Sequence, residues 1–198
     1  LGWDKDNLPC LEPILRAYKK LERMGCRAIA AECGYFAYFQ KEVAAEVNVP
    51  VFMSSLLQVP FARQLIGLHK HVGIICAQKR FLTEKHLQAV GIDIRSNLLI
   101  AGAQDEYGCP QFDNLWDPEK RPQCPEIYYD QAEHEFVDLA EKFCAKHPEI
   151  GALVLECTGM QPFARALQQK VDLPVFSWGT LLDYAFSVVV HRDYYGHV

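Results

Sequence analysis

The chain has 198 residues, 50% of them hydrophobic and 23% charged, with a formal net charge of −5. That is the balance of an ordinary globular protein of one domain or two small ones. Lysines and arginines are scattered, so nothing points to nucleic acid, and the longest apolar stretches, such as Val72 to Ala77, are far too short to span a bilayer. Neither a nucleic-acid nor a membrane partner is expected.

From the amino terminus, Leu11, Ile14, Leu15, Tyr18 and Leu21 recur at a helical period between Pro9 and Met24, and Gly25 stops the helix. Arg27 to Cys33 reads as a short strand, followed by a helix through Val47 with Phe36, Phe39, Val43 and Val47 on one face. Pro50 opens the strand VFMSS, and a helix runs from about Leu56 to His69. The alternation restarts with the strand HVGIICA (71–77), the short helix TEKHLQAV capped by Thr83, and the strand NLLIAG (97–102). Residues 105–124, with Pro110, Pro118 and Pro122, read as a long irregular loop. Its Tyr107, Phe112 and Trp116 suit either a cover over a cleft or a surface excursion packed on its own lobe. A helix from about Pro125 to His147, the strand ALVLEC, a helix from Gln161, the strand PVFSW and a helix from about Leu181 complete the pattern.

Strands separated by helical segments predict an α/β fold with parallel sheets covered by helices, whose ligands sit outside the carboxyl ends of the strands. Cys33 and Cys157 both occupy that end. A shift of 124 residues lays segment 28–55 over segment 152–179 without a gap, with identity at eight of 28 positions, including Glu-Cys and Pro-Val-Phe. Any two strand–helix–strand units look somewhat alike, but the shared dipeptide and tripeptide in one register argue for duplication. The expected organisation is two pseudo-symmetric lobes, residues 1–68 with 180–198 and residues 69–179. The second lobe has two strands before its long helix and the first has none, so the first lobe is expected to lack its N-terminal strand or strands, with the natural chain continuing upstream of Leu1.

Eight cysteines (positions 10, 26, 33, 76, 109, 124, 144 and 157) show neither a CxxC pair nor a Cys/His cluster with zinc spacing. Free thiols in a reducing cytoplasm are expected, and no metal; Cys10, Cys26, Cys76 and Cys144 read as packing residues. Two thiols at equivalent places in facing lobes suit inversion of a carbon acid, one acting as base on one face and the other as acid on the opposite face. A thiol serves because its ordinary pKa lies close to neutrality, and a following helix N-terminus would lower it further. Gly34-Tyr35 and Thr158-Gly159 would begin those helices and offer backbone N–H groups to a substrate carboxylate. Ser54 and Ser55 would either hydrogen-bond a ligand or cap the next helix. Glu32 and Glu156 are expected to affect the thiols little, because strand alternation sends adjacent side chains to opposite faces.

The two cysteine motifs, with SSLL (54–57) after the first unit, resemble the aspartate/glutamate/hydantoin racemase superfamily. The resemblance covers most of the chain, from about Leu11 to the last helix. It implies a cofactor-independent, pyridoxal-independent racemase or epimerase acting on an amino acid or a related carboxylate or hydantoin. Cys33 and Cys157 would be its acid/base pair, Thr158 and the backbone after each cysteine its carboxylate site, and a homodimer a fitting assembly. Many aspartate and glutamate racemases carry Asn-Thr after the first cysteine where this chain has Gly34-Tyr35, and Cys-Thr-Gly-Met is closer to the hydantoin-type motif. Decarboxylation or cis–trans isomerisation in the same fold, and a non-catalytic small-molecule-binding protein on this scaffold, are the alternatives.

Overall fold

The computed structural model describes residues 8–193 other than Pro118, so residues 1–7 and 194–198 of the expected first lobe, and the loop proline Pro118, lie outside the described residues. Helix α1 (Leu8–Arg23) turns Leu11, Ile14, Leu15, Tyr18 and Leu21 into one core, and Gly25, at φ 88°, supplies the left-handed residue that ends it. Strands β1 (Ile29–Ala30) and β2 (Val51–Phe52) pair in parallel and form a two-stranded sheet. Between them run a 3-10 helix (Gly34–Phe39) and α2 (Gln40–Glu46), so the helix expected through Val47 opens with a tighter turn. α2 is tied to β2 through the Gln40 side chain, whose Nε2 donates to Val51 O at 3.0 Å and whose Oε1 accepts from Met53 N at 3.0 Å.

A 3-10 turn (Ser55–Gln58) leads into α3 (Val59–Leu65), which is shorter than the expected helix to His69. The second sheet contains β3 (His71–Cys76), β4 (Leu98–Gly102), β5 (Ile150–Leu155) and β6 (Val175–Phe176), parallel and in the order β4-β3-β5-β6. α4 (Glu84–Ala89) links β3 to β4, while α5 (Pro110–Trp116) and α6 (Tyr129–Lys146) link β4 to β5. A 3-10 helix (Thr158–Phe163) and α7 (Ala164–Val171) link β5 to β6, and α8 (Trp178–Val189) follows.

Both faces of this sheet are covered, as the near-continuous apolar runs of β3 and β5 require. On one face Ile75, Leu153 and Leu155 meet Phe136, Leu139 and Phe143 of α6. On the other, Val72 and Ile74 meet Leu87 of α4 and Leu56, Val59 and Ala62 from the α3 segment. α3 therefore packs on the four-stranded sheet, although it follows the two-stranded one in sequence.

The 124-residue correspondence recurs in three dimensions. Ile29 pairs with Val51 in the first sheet and Leu153 with Val175 in the second, each 124 residues on. The two 3-10 helices also correspond residue for residue, and Phe36 N→Cys33 O at 3.0 Å repeats as Met160 N→Cys157 O at 3.1 Å. The segment expected to be an irregular loop contains α5, which starts with Pro110 in its first turn, where the missing N–H costs nothing. α5 is seated on its own lobe: Phe112 is fully buried, with its ring 5.2 Å from that of Phe136.

Candidate active site

Both cysteines stand where a strand gives way to a 3-10 helix, in extended backbone: Cys33 at φ −95°, ψ 125° and Cys157 at φ −89°, ψ 135°. The backbone N–H two residues on, that of Tyr35 for Cys33 and of Gly159 for Cys157, favours the thiolate, although neither thiol makes a side-chain capping hydrogen bond. The expected lowering is nevertheless overturned. Burial first, and the charge of Glu156 second, push both thiols above the ordinary range. A 3-10 turn of six residues does not outweigh the loss of water around a thiolate.

Glu156 is also where the alternation argument fails. Glu156 follows β5 and its N–H still bonds Ile75 O; it is 1% exposed and its carboxyl lies against Gly34, so its charge is felt at both motifs whichever face it occupies. A β-carbon on Gly34 would stand 2.2 Å from both the Glu156 carbonyl oxygen and its Oε1. The residue after one cysteine thus packs directly on the residue before the other, which brings the two motifs together. Neither carboxyl oxygen of Glu156 has a hydrogen-bond partner; the Ala77 N–H favours its charged form without completing a hydrogen bond. Burial pushes its pKa up to about 8.

The surrounding residues hold the two motifs in place. The Ser55 hydroxyl is buried within hydrogen-bond distance of Leu155 O (2.6 Å) and Glu156 O (3.1 Å), joining the segment after β2 to the end of β5. Ser54 Oγ accepts from Leu56 N at 3.2 Å, the capping role. Both hydroxyls are engaged within the protein. Tyr35 binds Gln78 twice, its hydroxyl donating to Gln78 O at 3.0 Å and accepting from Gln78 N at 3.2 Å, which fastens the Cys33 motif to the loop after β3. The space beside Gly34 is filled by Glu156, and that beside Gly159 is bounded by Phe112, by Trp116 Nε1 and by the Cys157 thiol, the last at 3.6 Å. Thr158 is half-buried at the head of the second 3-10 helix.

Sequence reasoning named Trp116 among the loop aromatics but missed Trp178. Trp178 donates from Nε1 to Ala31 O at 2.9 Å, fastening α8 to the strand end that carries Cys33. The half-exposed Trp116 closes on Gly159 from α5. The repeated Glu-Cys dipeptide was the available signal for Glu156. All eight cysteines are free, and the described residues contain no cluster of three or more metal-ligating side chains. No described helix is long and apolar enough to cross a membrane. A cavity of about 340 Å³ at the β4 edge, lined by Lys79, Glu106 and Lys146 among others, contains neither thiol.

No family model matches the chain. It is 29% identical over 171 residues to dimethylsulfoniopropionate lyase 7 of Emiliania huxleyi (strain CCMP1516), an alignment covering 82% of this chain and 48% of the lyase. The chain spans about half the length of the curated relatives it matches. Among solved structures, the Gly74Cys mutant of arylmalonate decarboxylase superposes with a TM-score of 0.60 at 11% identity, covering 97% of this chain and 78% of that one. The aspartate racemase homologue PH1733 from Pyrococcus horikoshii OT3 superposes with a TM-score of 0.57 at 19% identity, covering 90% and 73%.

Proposed function

We propose that this chain, which has the fold of the aspartate/glutamate/hydantoin racemase superfamily, carries the site of a carbon-acid lyase. In it a cysteine thiolate removes a proton next to a carboxylate and a β-sulfonium group departs. The observation that carries the reading is the joining of the two cysteine motifs through Gly34 and Glu156 at the strand ends. The lyase names of the sequence relatives support elimination as the fate of the carbanion.

In dimethylsulfoniopropionate the carboxylate and the sulfonium lie on adjacent carbons. The thiolate of Cys33 or Cys157 takes the proton from the carbon next to the carboxylate. The electrons of that C–H bond form the C=C bond, and the C–S bond breaks with its pair going to sulfur. The products are acrylate, neutral dimethyl sulfide and a cysteine thiol, which returns its proton to solvent before the next turnover. Partial exclusion of water around both thiols strengthens their electrostatic interaction with the bound cation. This elimination is the lyase form of the same proton abstraction that a racemase performs.

Racemisation is the second reading, favoured by the gapless correspondence that places both thiols at equivalent ends of two strands. It covers the amino-acid, carboxylate and hydantoin substrates. Proton NMR in D2O separates the two: elimination gives acrylate and dimethyl sulfide from dimethylsulfoniopropionate, whereas racemisation gives deuterium at Cα with loss of optical rotation in an amino acid or hydantoin. Acrylate release from the folded protein supports the lyase reading. Cα exchange with inversion and no acrylate would replace it by the racemase reading.

A further inference from the structure

We propose that Glu156 is a positioning residue that governs ionisation of the site: as an uncharged carboxylic acid it lets Cys33 or Cys157 become a thiolate, and as a carboxylate it holds both as thiols. The inference rests on the thiol acid/base reading and adds to it the residue that decides when the base is available.

The geometry is that of an acid enclosed among acids. Glu156 is 1% exposed, and both its carboxyl oxygens lack a hydrogen-bond partner. Its carboxyl fills the space that any side chain on Gly34 would occupy, which sets it against the backbone of the Cys33 motif, and it immediately precedes Cys157. The titratable groups that feel its charge are Cys33 and Tyr35 from the first 3-10 segment, Cys76 from β3, and Cys157. Each is pushed upward by it. Glu32 acts with the same sign on both Cys33 and Cys157, and Asp105 on Cys76, where Lys79 opposes it. Among the described residues no lysine, arginine or histidine offsets Glu156 itself.

A water-poor site containing several acids and no paired cation holds one negative charge far more readily than two. Ionised Glu156 takes that charge and leaves the thiols protonated. Neutral Glu156, the form that burial favours at neutral pH, removes that repulsion and leaves burial as the remaining opposition to a thiolate. A carboxylate at this place therefore opposes the base, and a neutral amide of the same shape does not.

The test measures thiol ionisation directly. Alkylation of the whole protein by iodoacetamide is followed at each cysteine by peptide mass spectrometry for the wild type and Glu156→Gln, from about pH 6 to about pH 10, a range spanning the thiol titration. At about pH 9, where wild-type Glu156 is ionised, Cys33 and Cys157 should react about tenfold faster in Glu156→Gln, while at about pH 6 the two proteins should agree. Cys26, packed against the α1 core, serves as a control whose profile is the same in both proteins. Superimposable profiles for Cys33 and Cys157 in a folded variant overturn the proposal. If Glu156→Gln does not fold, infrared titration of Glu135→Gln, which removes the half-buried Glu135 carboxyl, also raised in pKa, decides instead. The carbonyl stretch of a protonated acid should be present at about pH 6 and disappear by about pH 9, and its absence at the lower pH overturns the proposal. Alkylation and infrared titration report ionisation rather than turnover, so failure of the lyase reading would leave this test standing.

Discussion

Replacing Gly34 with alanine probes the contact that joins the two motifs. The added carbon would lie 2.2 Å from the Glu156 carbonyl oxygen, 2.2 Å from Oε1 and 2.7 Å from Cδ. One of these atoms is backbone at the end of β5, and the Ser55 hydroxyl lies within hydrogen-bond distance of it, so it cannot retreat alone. Overpacking of this kind costs ~1–3 kcal/mol. Loss of a buried hydrogen bond adds about 1 kcal/mol. A total near ~3 kcal/mol corresponds to a fall in Tm of roughly 6–12 °C for a chain of this size. Gly159→Ala is the internal control. Its new carbon meets Phe112 Cε2 at 3.2 Å and Trp116 Nε1 at 3.3 Å, contacts that a small ring displacement relieves. It should cost about 1 kcal/mol or less. Thermal and urea unfolding give both values, and Cys33 alkylation should accelerate in Gly34→Ala as its segment is lifted from Glu156. A Gly34→Ala protein melting within about 2 °C of wild type, less than 1 kcal/mol by the same conversion, would show that the motifs are not in contact as described.

Three further outcomes follow from the same contacts. Trp178→Phe removes the indole donor to Ala31 O and should cost about 1 kcal/mol in urea unfolding, with activity falling further than stability because that carbonyl belongs to the strand end carrying Cys33. Glu156, raised from the ordinary 4.5 to about 8, binds a proton in the folded state that the unfolded state has already released. Its contribution is therefore fully present below about pH 4.5 and lost as pH rises to about 8, a decline of roughly 3–5 kcal/mol that Glu156→Gln should abolish. His86 is buried, its Nδ1 accepts from Thr83 N at 3.2 Å, and its pKa is lowered from 6.5 to about 4, by burial first and Lys85 second. Its contribution is present above about pH 6.5 and lost as pH falls to about 4, by roughly 2–3 kcal/mol, a slope that should be missing from the pH–stability curve of His86→Gln.

Much of the fold was legible because it is written in period and repetition. The helical spacing of Leu11 to Leu21 gave α1, the apolar run of 71–77 gave β3, and the 124-residue shift predicted the matching strand pairing of the two repeated segments. The misses have physical causes. Six-residue 3-10 segments carry the same apolar spacing as the first turn of an α-helix, so the start of each helix after a cysteine could not be distinguished. α5 was hidden by the surrounding prolines, although Pro110 itself marks a helix start. At the site, the cysteine pair could be read from its repeated surroundings. The effect of Glu156 could not, because it arises from tertiary packing: its N–H keeps the bond to Ile75 O, and its carboxyl is buried against Gly34 of the other motif.

The most direct test of the central claim is acrylate formation from dimethylsulfoniopropionate by wild type, Cys33→Ser, Cys157→Ser and the double variant, followed by proton NMR and set beside Cys144→Ser. In the elimination account at least one single variant loses all detectable product while remaining folded, the double variant is inactive, and Cys144→Ser, whose thiol packs at the edge of the α6 core, turns over at close to the wild-type rate. Acrylate release persisting in the folded double variant would contradict a thiolate base at these two positions.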